Sequence, residues 1–247
     1  MNYQERAALI SGVLESTPTV SVEALAKLLN VTVVTVRKDL TRMEKAGLLV
    51  RTFGGAARTA TGLPQNPNTQ MLRRIANRAA EEVSDGDCII LNAGSTTLLL
   101  AKCLLLHKNL KLITNSIPLG RELINKKDCQ LILLGGRLSG DAVFTHGKDA
   151  IRQMAQYKAD KLFLSVNGVS LTSGLTTRHA MVADLFMQMI ERANEVIVLA
   201  DDSKFGFESF CHVCDLTAVD KIIMNETENN REALLEIEQS GIIVCRC

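Results

Sequence analysis

Tryptophan is absent from this 247-residue chain, and two Tyr and seven Phe are its only aromatics. Recognition that stacks bases on aromatic rings, as many single-strand binders do, has little to build on. No apolar run approaches the roughly 20 residues that span a bilayer. The opening MNYQERAALI is charged where an export signal would be apolar, so the chain is expected to stay in the cytoplasm, away from membranes. An excess of either charge is missing too: 28 Lys and Arg stand against 27 Asp and Glu, a net +1. That balance excludes a uniformly basic coat for nucleic acid and an acidic disordered chain. Neither GxGxxG nor a Walker A sequence occurs, so no nucleotide cofactor is expected. The four His (107, 146, 179 and 212) are scattered, with no Ser or Cys nucleophile motif beside them, which leaves a catalytic triad unsupported. Seven Cys, odd in number and dispersed, suit reduced thiols better than a disulfide framework. Cys211-His212-Val213-Cys214 has the spacing of half a zinc site, but four ligands are needed and only the distant Cys245 and Cys247 could complete it. No metal is expected.

What is present is a core: 47% of residues are hydrophobic, enough at this length for one large domain or two smaller ones. Charge is distributed unevenly over it. Residues 1 to 60 hold eight Lys and Arg against five acids, a net +3, and the remainder is −2. Most of the excess falls between 37 and 58, which fits either a solvated helix face or a small polyanion-binding module. Periodicity sharpens this. Arg6 to Glu15 carries Ala7, Leu9, Ile10, Val13 and Leu14 at helical spacing. Ser21 can cap a second short helix with Ala24, Leu25, Leu28 and Leu29 apolar. Thr32 can cap a third, with Val36, Leu40 and Met43 inward and Gly47 as its stop. On this third helix Thr35, Lys38 and Arg42 share the face opposite the apolar stripe, and Arg37 flanks them. Such a face suits a helix in a DNA major groove, where Arg forks to guanine and Lys and Thr hold phosphates. LLVRTF then alternates into Gly54-Gly55, which reads as a two-stranded wing carrying Arg51 toward the DNA backbone.

Arg6, Ile10 and the run ALAKLLNVTVVTVRKDLTRMEKAGLLVRTFGGA resemble the N-terminal domain of the DeoR family of bacterial transcriptional repressors over some fifty residues. The departures from the family pattern (Thr32 for Ser, Val36 for Ile, Lys38 for Arg, Met43 for Leu, Phe53 for His) keep shape or charge. The resemblance implies a DNA-binding role for Thr32, Thr35, Arg37, Lys38, Arg42 and Arg51.

The run from Arg58 to Gln70 holds two of the four Pro and no apolar period, and residues 58–72 read as an interdomain linker between a winged-helix domain (1–57) and a second domain (73–247). Beyond it apolar runs at 88–91, 111–114, 130–136, 161–166, 195–200, 221–224 and 242–245 alternate with helix-like stretches. The pattern predicts a mostly parallel α/β sheet covered on both faces. On such sheets ligands bind at the carboxyl ends of strands. Five polar loops fall at those ends: Asn92 to Thr97, Asn115-Ser116, Gly135 to Arg137, Asn167-Gly168 and Asp201 to Lys204. Each alone suits an ordinary turn; together they point to a polar, phosphorylated ligand. In the first, small residues and hydroxyls open a helix, an arrangement that can hold an anion.

GSTT (94–97), TNS (114–116), LGGR (134–137), Gly147, NGV (167–169), GLT (174–176) and DDSKFG (201–206) resemble the DeoR family again. Its effector domain is similar in fold to ribose-5-phosphate isomerase and senses a phosphorylated sugar or polyol. The resemblance implies that Gly94, Ser95, Thr96, Thr97 and Lys204 hold the phosphate, while Asn115, Arg137, Gly168 and Asp201 read the rest. Asn92 stands where the family has Asp, still at the expected site. Val182 and Phe186 replace an acid and a base of the family's helix pattern. The function expected is a repressor of a carbohydrate catabolic operon, released by a sugar or polyol phosphate. Homodimers or homotetramers are expected on double-stranded operator DNA, because one recognition helix covers too few base pairs. An activator and a sugar-phosphate isomerase with an appended DNA-binding domain remain the alternatives; the isomerase would need a carboxylate base such as Asp201 or Asp202.

Overall fold

The computed structural model describes residues 3–17, 19–45, 49–52, 54–57, 67–139 and 143–247. The chain divides into two compact units, Met1–Gln70 and Met71–Cys247. The expected stop at Gly47 and the linker stretch 58–66 lie outside the described residues. The remainder of the expected linker does not stay open, since a helix already begins at Pro67.

The N-terminal unit runs α1 (Tyr3–Ser16), β1 (Thr19–Ser21), α2 (Val22–Leu29), α3 (Val33–Lys45), β2 (Val50–Thr52) and β3 (Gly55–Ala57). Ser21 caps α2 by accepting from Ala24 N at 3.1 Å, and Asn30 ends it in the left-handed region at φ 51°. The inward stripe of α3, Val36, Leu40 and Met43, is fully buried against Ile10, Leu25 and Leu49. Each such side chain contributes about 1.5–3 kcal/mol by leaving water. Leu28 departs from the expected pattern, being 60% exposed. Arg6 donates to Asp39 at 2.6 Å, fastening α1 to α3 beneath the helix surface. The wing is a three-stranded antiparallel sheet in the order β1-β3-β2, one strand more than the sequence predicts. Its two glycines act differently: Gly54 turns at φ 84°, whereas a Cβ on Gly55 would meet Val20 O at 2.2 Å.

The second unit comprises α4 (Pro67–Ala80), β4 (Cys88–Leu91), α5 (Ser95–Cys103), β5 (Leu110–Thr114), α6 (Ile117–Leu123), β6 (Cys129–Leu133), β7 (Arg137–Ser139), β8 (Phe144–His146), α7 (Lys148–Met154) and β9 (Ala159–Ser165). It continues with β10 (Gly168–Ser170), β11 (Gly174–Thr177), α8 (Ala180–Glu191), β12 (Ala193–Ala200), β13 (Cys211–Cys214), β14 (Lys221–Met224), α9 (Arg231–Gln239) and β15 (Ile243–Arg246). Seven strands form one parallel sheet in the order β15-β14-β12-β9-β4-β5-β6, and all seven lie on the predicted apolar runs. A β7-β8 hairpin and a small antiparallel sheet, β10-β11-β13, were not anticipated. The chain leaves β4 toward β5 and β6, then returns to β9 and proceeds toward β12. With right-handed crossovers, the helices that follow β4 and β9 cover opposite faces. The loops after these two strands diverge and leave a crevice at the carboxyl end of the sheet.

Candidate functional site

On the N-terminal unit, α3 presents the basic face. Thr32 caps it, accepting from Thr35 N at 3.2 Å, and the two hydroxyls lie 2.9 Å apart. Thr35 is thus occupied with the helix start and half-buried. Arg42 is exposed but leans back, its guanidinium 3.9 Å over the Tyr3 ring of α1. The outward stripe is Val34, Arg37, Lys38 and Thr41, four residues at i, i+3, i+4 and i+7 around one shallow hollow. Sequence reasoning passed over Val34, which is 62% exposed; its signal was an apolar residue outside the inward stripe. Arg51 of the wing is tied to this helix, its Nη1 donating to Thr41 Oγ1 at 3.1 Å and its backbone N to Glu44 Oε1 at 3.0 Å.

In the second unit a cavity of about 370 Å³ opens at the crevice beyond β4 and β9. Of the predicted effector residues, Gly94, Ser95, Asn115 and Lys204 line it. Gly94 is needed there, because a Cβ would sit 2.6 Å from that of Ser165. Ser95 is exposed at the first turn of α5, whose leading N–H groups have no acceptor within the helix. Lys204 ends a 3₁₀ turn capped by Asp201, which accepts from Ser203 N at 3.0 Å, and its ammonium makes no ion pair among the described residues. Asn115 spends its amide on architecture, accepting from Ala93 N at 2.9 Å and donating to Thr145 O at 3.0 Å.

The other predicted residues do not line the cavity. Asn92, fully buried, clamps β9: its Nδ2 donates to Ser165 O at 2.7 Å and its Oδ1 accepts from Ser165 N at 2.8 Å. An amide can do both; a carboxylate at this position could only accept. Thr96 is buried, and Thr97 donates to Asn92 O at 2.7 Å. Asp201 points to its own cap, and Arg137 is exposed on β7. Gly168 is a place of close approach, where a Cβ would meet Phe207 O at 2.1 Å.

Several lining residues were not expected from the sequence. Ser165 ends β9 and Asn167 lies in the loop after it, Thr177 and His179 lead into α8, and Phe144 arrives on β8, its ring 5.5 Å from that of His179. Val182 and Phe186, recognised in the sequence only as departures from a pattern, face the cavity from successive turns of α8.

A winged helix with an exposed basic helix face, joined to a parallel α/β unit with a cavity at its strand ends, defines a DNA-binding regulator with a sensor. The comparisons agree. The model of the DeoR-like helix-turn-helix domain matches residues 6–61, and that of the DeoR C terminal sensor domain matches residues 67–226. The chain therefore belongs to the DeoR family: it is a DNA-binding transcriptional repressor and not an enzyme. It is similar to the HTH-type transcriptional repressor GlcR of Bacillus subtilis, 32% identical over 93% of this chain and 91% of that protein. The HTH-type transcriptional regulator GlpR of Haloferax volcanii is 35% identical over 91% and 90%. The glycerol-3-phosphate regulon repressor of Escherichia coli K12 is 27% identical over 82% and 83%. Among solved structures, ribose 5-phosphate isomerase A of Methanocaldococcus jannaschii is 22% identical over 56% of this chain and 55% of that one, with a TM-score of 0.41; a likeness at that level carries no weight for chemistry. Among the described residues no helix is long and apolar enough to cross a membrane.

Proposed function

We propose that the chain represses a carbohydrate catabolic operon and releases its operator when a phosphorylated sugar or polyol fills the cavity beyond β4 and β9. The observation that carries this reading is that Lys204 and Ser95, the latter at the α5 N-terminus, both line one cavity of about 370 Å³. A free ammonium, a hydroxyl and unpaired helix N–H groups are the donors a phosphate needs. The volume lies in the range of small-molecule sites. The similarity to the glycerol-3-phosphate regulon repressor of Escherichia coli points the same way.

In this reading residues 1–57 bind DNA and 73–247 sense the effector, joined by 58–72. Arg37 and Lys38, with Val34 between them on the outer face, enter the major groove. Thr32 and Thr35 approach phosphates at the N-terminus of α3, Arg42 flanks, and Arg51 follows the backbone from the wing. Val34 suits the methyl group of a thymine. Cytoplasmic homodimers or homotetramers present paired helices to repeated half-sites. Effector binding favours an arrangement whose helix spacing no longer matches the operator.

The test is a thermal-shift screen of the purified protein against sugar and polyol phosphates, followed by operator gel shifts with each hit. A hit that raises the melting temperature, frees the operator and is lost in Lys204→Ala supports the reading. A panel without hits, or a hit indifferent to Lys204→Ala, refutes it.

A further inference from the structure

We infer that the effector is a phosphorylated sugar acid, a ligand with a carboxylate at the end of its carbon chain away from the phosphate. The inference rests on the cavity being a phosphate sensor, as proposed above, and names the chemistry of the ligand's other end.

Four consecutive strands of the sheet, β12, β9, β4 and β5, each bring a hydrogen-bond donor to the cavity beyond their carboxyl ends. Lys204 follows β12, Ser165 ends β9 with Asn167 just after it, Ser95 follows β4 at the start of α5, and Ser116 follows β5. Strands in a sheet lie about 4.8 Å apart, so this row spans roughly 14 Å. One phosphate is too small to take up donors along all of it. Whichever way round the ligand lies, its far end meets donors as well.

The bonds already made inside the protein fix the polarity of these groups. Arg178 N, which can only donate, reaches Asn167 Oδ1 at 3.1 Å, and Thr177 Oγ1 donates to the same oxygen at 3.3 Å. The Asn167 amide is thereby turned so that its partnerless end is Nδ2, a donor. Ser116, 4% exposed, accepts from Leu119 N at 3.3 Å as the cap of α6 and keeps its proton for a ligand. The Lys204 ammonium and the leading N–H groups of α5 can only donate.

Acceptors are scarcer on the same wall. Among the described residues no Asp or Glu lines the cavity, and the side-chain oxygens of Asn115 and Asn167 each already hold a backbone N–H. A ligand's own O–H can still donate to a serine oxygen or to the His179 ring, so hydroxylated ligands enter. A carboxylate does better. It brings two oxygens without protons, its bonds to such donors are charge-assisted and about twice as strong as neutral ones, and it meets no acid on the wall.

The experiment measures affinities of the full chain by calorimetric titration at pH 8, where carboxylates are ionised. The ligands are paired by carbon number: 3-phosphoglycerate with glycerol 3-phosphate, and 6-phosphogluconate with glucitol 6-phosphate. In at least one pair the acid is expected to bind more than threefold and nearer tenfold tighter, the order of the gain from neutral to charge-assisted bonds. Asn167→Asp keeps the oxygen that Arg178 N and Thr177 use but turns the free donor into an acceptor, and is expected to bring the ratio below about threefold or invert it. Ser165→Ala removes one donor and no charge, and is expected to narrow the ratio; it decides the matter if thermal melts show that the Asp variant does not fold. A wild-type ratio below about threefold in both pairs, or a ratio that survives the folded variants, overturns the inference and leaves the phosphate reading standing. Absence of binding by all four esters, or affinities unmoved by Lys204→Ala, overturns the phosphate-sensor reading beneath it, and the inference falls with it.

Discussion

Replacing Asn92 with Asp changes one atom and should be costly. Asn92 is fully buried, and its Nδ2 donates to Ser165 O at 2.7 Å. A carboxylate keeps the acceptor toward Ser165 N but loses the donor, leaving two oxygens facing each other where the side chain at position 92 is fully buried. Leaving a buried carbonyl unpaired costs about 1–3 kcal/mol, and seating an ion there adds to it. Asn92→Asp should therefore lower the stability of the second unit by about 3 kcal/mol at pH 8. For a unit of this size that is a fall in melting temperature of roughly 6–12 °C. The pH dependence is the sharper signature. Protonation restores a donor, so the folded state holds the new carboxyl's pKa above its unfolded value of about 3.9. The native state then binds more protons than the unfolded one, and stability relative to wild type declines as pH rises from about 4 through the raised pKa, then levels off. Thermal melts of variant and wild type across pH 4.5 to 8 measure the gap, since Asn92 itself does not titrate. Equal stability at pH 8, or a gap that narrows with rising pH, would refute the clamp.

On the DNA face, Arg37→Ala should weaken operator binding by about 1–3 kcal/mol by removing a base contact, and Lys38→Ala should flatten the salt slope by about 0.9 by removing a phosphate contact. Unchanged affinity and slope in both would take DNA reading away from this face. Thr32→Ala removes the bond from Thr35 N that starts α3 and should cost the N-terminal unit about 1 kcal/mol. Denaturant melts of the two proteins check it, and superimposed curves would show an idle cap. Burial pushes the Cys214 thiol up to about 11, so at pH 8 roughly one molecule in a thousand carries the reactive thiolate there. Iodoacetamide at pH 8 should leave Cys214 unlabelled in the native protein and label it after denaturation, as read by peptide mass spectrometry. Rapid native labelling would contradict the burial.

The seven-stranded sheet was legible because each strand is a buried apolar run separated from the next by helical periodicity. The helix-turn-helix was legible from its caps and inward stripe, Ser21, Thr32, Val36, Leu40 and Met43. The short strands were not: Thr19–Ser21, Arg137–Ser139 and Cys211–Cys214 owe their conformation to partners elsewhere in the chain. Within the cavity, the loop residues Gly94, Ser95, Asn115 and Lys204 could be found because strand ends and helix starts are local signals. Phe144 and His179 carry no such signal, since only the packing of a hairpin and a helix start over the crevice makes them neighbours.

By itself, then, the sequence determined the two units, the order of their elements and the basic face of α3, because these depend on spacing within a few turns of chain. Only the tertiary structure decided which polar groups remain free. Asn92, Thr97 and Asp201 look like binding groups in one dimension, yet each is spent holding neighbouring backbone, whereas Val182 and Phe186 look like core and form a wall of the cavity. A side chain's partner is set by folding in space, and a hydrogen bond already made inside the protein is unavailable to a ligand.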